Sequence, residues 1–353
     1  MDIEKTLLEL KPKIDTRIEK YIARSASKKY AEFAGGKASF SRDLGAIENA
    51  LLKPIWDLLD RGGKRWRPAL FLFVVEALGR NPDDYLDFAV IPEVVHNGTL
   101  MVDDIEDSAE LRRGKPCTHK LFGEDVAINA GNAMYYLPLK ALSEHKELDK
   151  AVLGRVYGIY VDEMINLSLG QAMDIWWHKG NTEGLSEDKY LQMCAFKTGT
   201  LARMAARMAA AFAESTKEQE AALGTLAERI GVGFQIQDDI LDITLKDREA
   251  FGKSFGNDIK EGKRTLMVVH AMQNAPKEDA KRLKEILDMH TSDRKLAEEA
   301  IVILEKSGSI EYSKVRANEL VENAWNDVAG VLPEGAGKEK IHALVEFLLE
   351  RKR

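Results

Sequence analysis

The chain has 353 residues, a formal net charge of -7 and a hydrophobic fraction of 45%. That is enough for one large globular domain or two smaller ones. The acidic balance argues against a nucleic-acid binder, because phosphate backbones attract basic surfaces. Two cysteines, Cys117 and Cys194, make no disulfide framework and point to a reducing compartment.

The pattern is helical almost throughout. Met1 to Leu10 is acidic and amphipathic, with neither the basic n-region nor the apolar core of a signal peptide. Apolar residues keep helical spacing through Leu7, Leu10, Ile14, Ile18 and Tyr21. Ala34-Gly35-Gly36 is the best candidate boundary, and it sets residues 1–40 apart as an N-terminal helical arm on a single domain spanning 1–353. Breaks follow at Arg61-Gly62-Gly63, Arg80-Asn81-Pro82 and Arg113-Gly114-Lys115-Pro116, and again at His178-Lys179-Gly180-Asn181. Ala69 to Leu78 is the most apolar stretch and is too short to span a bilayer, so the expected location is cytoplasmic. Helical spacing returns in Val152, Val156, Ile159 and Tyr160, and in Met204, Met208 and Ala211. Helix starts are marked by Ser186-Glu187-Asp188 and Ser215-Thr216. Strand signals and short repeats are absent. The expected fold is all-α, a single large bundle of roughly ten or more helices around a central cavity.

Two acidic clusters share one shape. Asp103-Asp104-Ile105-Glu106-Asp107 and Asp238-Asp239-Ile240-Leu241-Asp242 both read D-D-x-x-D in apolar surroundings. Such clusters repel themselves unless a positive charge intervenes. Residues at i and i+4 share a helix face, so Asp103 pairs with Asp107 and Asp238 with Asp242. Oxygen-only ligands favour Mg²⁺ or Mn²⁺ over Zn²⁺, and Mg²⁺ takes its remaining ligands from water and phosphates. One copy alone reads more readily as a solvated helix end; two copies on apolar helices argue for a shared site.

Basic residues accompany both clusters. Gly62-Gly63-Lys64-Arg65-Trp66-Arg67-Pro68 is a glycine turn opening a helix, where Lys64 and Arg67 join backbone N–H groups that favour anions. Arg112 and Arg113 follow the first cluster, and arginine forks suit diphosphate oxygens. Lys197 and Thr198 precede Gly199, and Lys253, Asp258 and Lys263 follow the second cluster. His96 lies seven residues before Asp103, on the same helix face.

With these segments in family order over roughly residues 40 to 350, the chain resembles the trans-isoprenyl (polyprenyl) diphosphate synthases, most of all geranylgeranyl diphosphate synthases. The carrying segments are Gly62 to Pro68, His96 to Pro116, Gly170-Gln171 with Asp174, Lys197-Thr198-Gly199, Phe234 to Asp242 and Gly252 to Thr265. The resemblance implies that Asp103, Asp107 and Asp238 ligate two or three Mg²⁺ ions gripping an allylic diphosphate. Asp104, Asp239 and Asp242 would be nearby acceptors. Arg112, Lys197 and Lys253 would hold the allylic diphosphate from the other side, and Lys64, Arg67, His96 and Arg113 would hold isopentenyl diphosphate. Thr198 and Gln235 would flank the reacting carbons, with Lys263 near the mouth. The reaction implied is ionisation, condensation and elimination in a homodimer.

Gly98 and Thr99, five and four residues before Asp103, lack the bulky aromatics that floor the pocket in short-chain relatives. They are expected to leave space for a product longer than fifteen carbons, geranylgeranyl diphosphate (C20) being the preferred reading and C25 or longer the alternative. Tyr135, Tyr136 and Met164 to Leu169 are candidates for a deeper floor. A terpene cyclase would lack the Lys64/Arg67 site, and a squalene-type enzyme does not fit the basic flanks. A non-catalytic regulatory subunit would usually have lost one acidic cluster.

Overall fold

The computed structural model describes residues 1–244 and 256–349. The main helices, in chain order, are α1 (Ile3–Tyr21), α2 (Lys53–Asp60), α3 (Trp66–Ala77), α4 (Leu86–Glu106) and α5 (Glu124–Tyr136). They continue as α6 (Lys150–His178), α7 (Glu187–Cys194), α8 (Thr200–Phe212), α9 (Lys217–Thr244), α10 (Ser309–Ala329) and α11 (Ala336–Leu349). Helix α8 is the centre. Every residue of it except Arg203 and Arg207 is buried, as expected of a helix apolar nearly all round. Its alanines let α3, α4, α6 and α9 pack close around it. Serine and threonine set the starts. Ser186 caps α7. Before α9, Thr216 and Gln219 exchange side-chain bonds to each other's N–H, a reciprocal cap.

The expected boundary at Ala34–Gly36 is the end of a short helix, Lys28–Gly35. It does not leave α1 as a detached arm. Ile3, Leu7, Ile14, Ile18 and Tyr21 are buried in the main core, and α1 packs on α3, α4 and α11. The expected absence of strands has one exception among the described residues. Leu111–Arg112 pairs antiparallel with Lys115–Pro116, across a turn in which Arg113 and Gly114 both take positive φ, the geometry of a tight hairpin.

The sequence reading of Gly98 needs correction. A Cβ on Gly98 would lie 2.7 Å from the Gly131 carbonyl oxygen and 2.8 Å from Met134 Cβ. Gly98 is therefore where α4 and α5 touch, and the glycine permits that approach. It opens no space for a product. Gly98→Phe should destabilise the fold by about 2 kcal/mol or more through overpacking, read as a lowered Tm.

Candidate active site

The C-terminal end of α4 and the C-terminal half of α9 form two walls of a cavity of about 1390 Å³, lined among others by Asp103, Glu106, Asp107 and Asp238. Asp107 closes α4, its N–H bonding the Asp103 carbonyl at 2.9 Å, so both carboxylates stay on one face. The remaining aspartates sit behind the walls. Buried Asp104 accepts from Arg112 Nε at 2.8 Å. Buried Asp239 accepts from Lys263 at 2.9 Å, Tyr190 Oη at 3.1 Å and Gln235 at 2.7 Å. Asp242 accepts from the Asp258 N–H at 3.1 Å. Gln235 in turn accepts from Thr198 Oγ1 at 2.8 Å, which ties Thr198 to the second acidic motif. Lys253, with Gly252, lies outside the described residues.

Lys197 spans the carboxylates from α6 and α4, 2.6 Å from Asp174 and 3.2 Å from Asp103. Gln171 also reaches the first wall, donating to Asp103 at 3.2 Å and to Glu106 at 2.6 Å. Lys197 and Thr198 are presented by a π-helical turn, Ala195–Gly199, between α7 and α8; such turns commonly push residues out at functional sites. Two glycines make room for it. A Cβ on Gly170 would lie 2.3 Å from Lys197 N, and one on Gly231 2.5 Å from Gly199 Cα.

The electrostatics are those of a cation site. Burial, then the charge of Asp103, pushes the Asp107 carboxyl up to about 8. Burial likewise raises Glu261, with Asp103 among the charges adding to it, so the walls sense one another. Asp103 is held low, because Lys197 and Arg112 outweigh its burial. Among the described residues no three His, Cys, Asp or Glu side chains form a ready metal cage. All-oxygen walls suit Mg²⁺, which binds through a few carboxylates and completes its shell with water and phosphate.

A second, cationic pocket lies beside the first. Lys64, Arg67, His96 and Arg113 line the same cavity. Burial lowers Arg67 and Arg113 to about 10. Burial, then Arg67 and Arg113, lowers His96 well below its ordinary range, leaving it neutral near pH 7. Arg67 Nε is buried without a hydrogen-bond partner. Crowded cations with an unused donor call for an anion. Thr99 lines the cavity, as do Tyr135, Tyr136, Tyr160, Met164, Ile165 and Leu167 to Leu169; Gly98 does not. Sequence reasoning gave no role to Arg65, Glu93, Asp174 or Tyr190. Arg65 and Asp174 stood within quoted motifs, whereas nothing local marks Glu93 or Tyr190.

A family model described as "Polyprenyl synthetase" matches residues 48–304. A short chain isoprenyl diphosphate synthase of Methanothermobacter thermautotrophicus is 35% identical over 92% of this chain and 97% of the relative. A geranylfarnesyl diphosphate synthase of Aeropyrum pernix is 32% identical over 83% of this chain and 92% of its own. The crystal structure of a geranylgeranyl pyrophosphate synthetase from Pyrococcus horikoshii superposes with a TM-score of 0.85 at 29% identity, covering 99% of both chains.

The raised Asp107 carboxyl has a consequence for stability. Its protonated form is the one the fold favours, so the stability it contributes is present below the ordinary carboxylate range and lost as pH rises through about 8. A divalent cation held by Asp107 would take the place of that proton. Mg²⁺ should therefore raise Tm more at about pH 8.5 than at about pH 6, as calorimetry of the protein with and without Mg²⁺ would show. The acidic walls, the cationic pocket and the match over 48–304 lead to one assignment: the chain belongs to the polyprenyl synthetase family and is a trans-prenyltransferase.

Proposed function

We propose that this chain condenses an allylic diphosphate with isopentenyl diphosphate, head to tail, and that its product is geranylgeranyl diphosphate. The observation carrying the reading is the pairing of one acidic and one cationic subsite in a single cavity. Asp103, Asp107 and Asp238 would hold two or three Mg²⁺ ions, which Mn²⁺ could replace. Bound metal supplies Lewis-acid neutralisation of the allylic diphosphate as its C–O bond breaks.

The chain's own groups do the rest. Arg112, fixed by Asp104, and Lys197, fixed by Asp174, carry positive charge at the first wall and stabilise the departing anion. Lys263 does the same from the second wall, where Asp239 orients it; Lys253 is proposed as a further cation on the motif alone. Lys64, Arg67, neutral His96 and Arg113 grip isopentenyl diphosphate and aim its double bond at the allylic carbon. Thr198 and Gln235, bonded to each other, hold polar oxygens beside the reacting carbons. The new C–C bond leaves a tertiary cation, and loss of a proton to the departing diphosphate restores a double bond. No protein nucleophile is required. The apolar part of the cavity, lined by Leu100, Tyr135, Met164 and Leu201, would shield the cations from water, which would quench them to alcohols.

The floor residues support a long product. Thr99 lines the cavity without the bulk of an aromatic, and Tyr135, Tyr136, Tyr160 and Met164 line it as well. The alternative is a C25 or longer product. A homodimer is also proposed. Val161, Ile165, Leu169 and Trp176 repeat along α6 as exposed apolar side chains, beside Ile128 and Tyr136 of α5, and a second copy would cover this stripe. No described helix is long and apolar enough to cross a membrane, which accords with a cytoplasmic enzyme.

Incubation with labelled isopentenyl diphosphate and each allylic primer tests activity and chain length together. The expected product is C20; one of fifteen carbons or fewer would overturn the length assignment. Asp103→Ala and Asp238→Ala should each lower turnover about a thousandfold while Tm stays near that of the parent chain. Near-normal turnover in either variant would defeat the metal-site reading.

A further inference from the structure

The loop bearing Lys64 and Arg67 is built from unfavourable backbone. Gly62 and Gly63 have φ of 93° and 136°, and Arg65 has φ of 54°. Left-handed conformation is disfavoured for a non-glycine residue such as Arg65, and glycines add chain entropy. Something outside the loop must hold it.

Arg65 is the anchor. Its side chain is 3% exposed. Its Nη2 donates to the Leu59 carbonyl of α2 at 3.2 Å, and its Nη1 to Glu93 of α4 at 2.9 Å and to the Gly62 carbonyl at 3.4 Å. Its Nε donates to Asp15 of α1 at 2.8 Å. Arg113 donates to the same Gly62 carbonyl. A Cβ on Gly63 would lie 3.2 Å from Arg65 Nη1 and 3.4 Å from Arg113 Nη2. The two guanidinium groups therefore close over one glycine and share one acceptor. Glu93, one turn before His96, also accepts from Asn97 Nδ2 at 3.1 Å. One buried arginine thus ties the glycine turn that carries Lys64 to the acceptor shared with Arg113 and to Glu93 on the helix of His96. One of its two acidic partners comes from α1, a helix outside the family model's span of 48–304.

We infer that α1 tunes the affinity for the homoallylic diphosphate. Asp15 is a positioning residue that locks Arg65, and through it Lys64, Arg67 and Arg113, into the geometry that grips isopentenyl diphosphate. This rests on the reading of that pocket given above. Asp15 touches no substrate. Arg65 itself lines the cavity, and the bond to Asp15 fixes its guanidinium there so that its charge does not compete with Lys64 and Arg67 for the same anion. It also holds the loop against a helix that packs in the main core. The Lys11 ammonium, 2.9 Å away, keeps the Asp15 carboxylate in place.

The test uses the full chain with Asp15→Asn, and Asp15→Glu as the conservative partner. Isopentenyl diphosphate is titrated calorimetrically without metal or primer, and amide exchange is followed over residues 61–67. Steady-state constants are measured for both substrates. Asp15→Asn should weaken isopentenyl diphosphate binding about three- to tenfold, the effect of losing one charge-assisted contact, and should speed exchange in the loop. The KM for the allylic diphosphate and kcat should stay within about twofold, because the metal-side wall is untouched. Asp15→Glu should recover most of the affinity.

Unchanged binding and exchange in Asp15→Asn would overturn the inference. So would a joint fall in Tm, kcat and both affinities, which would make α1 a structural helix and nothing more. Lys64→Ala separates the two layers. If it weakens isopentenyl diphosphate binding while Asp15→Asn does not, the role of α1 alone fails. If neither variant weakens binding, the pocket itself is misread and the inference falls with it.

Discussion

Carboxylates that cannot coexist alone are the constraint from which this structure follows. Asp103 and Asp107 leave α4 on one face, and Asp238 leaves α9 into the same cavity. Burial raises the energy of each charge, and proximity raises it further. The protein answers with fixed cations behind and between the walls: Arg112 on Asp104, Lys197 between Asp103 and Asp174, and Lys263 on Asp239. Asp107 pushed up to about 8 shows that these cations do not balance the account for every carboxylate. The residual field is what a divalent cation and its diphosphate would complete.

The mirror arrangement lies a few residues away. Arg67, Arg113 and His96 crowd together under a glycine loop, their charged forms disfavoured by burial. On the proposed reading, an acidic subsite and a basic subsite in one cavity would distinguish two diphosphates by what each must do. One must leave and needs its charge neutralised in the transition state. The other must stay attached and needs to be held still. The central apolar helix α8 supplies rigidity to both, since its neighbours α3, α4, α6 and α9 carry much of the cavity lining.

Much of this was legible in the sequence, for identifiable reasons. The D-D-x-x-D spacing marks a helix face whatever the fold, so Asp103, Asp107 and Asp238 could be assigned to the cavity in advance. His96, seven residues from Asp103, returns to within about 20° of it around the helix. The same arithmetic explains the error at Gly98. Four residues place Thr99 about 40° from Asp103, but five place Gly98 about 140° away, against α5. The π-helical turn at Ala195–Gly199 could not be read, because it depends on Gly170 and Gly231 from other helices. Nor could the Asp15–Arg65–Glu93 triad, whose members lie 50 and 28 residues from Arg65. Ionic contacts at such separations have no local signature.

The central claim is that the two acidic walls act on one diphosphate through shared divalent cations. Its most direct test is a crystal grown with Mn²⁺ and an allylic thiodiphosphate that cannot ionise, examined by anomalous scattering. The account predicts manganese on Asp103 and Asp107 and manganese on Asp238, all in contact with the same diphosphate. Manganese confined to one wall, or a diphosphate bound with no metal between it and the aspartates, would contradict it.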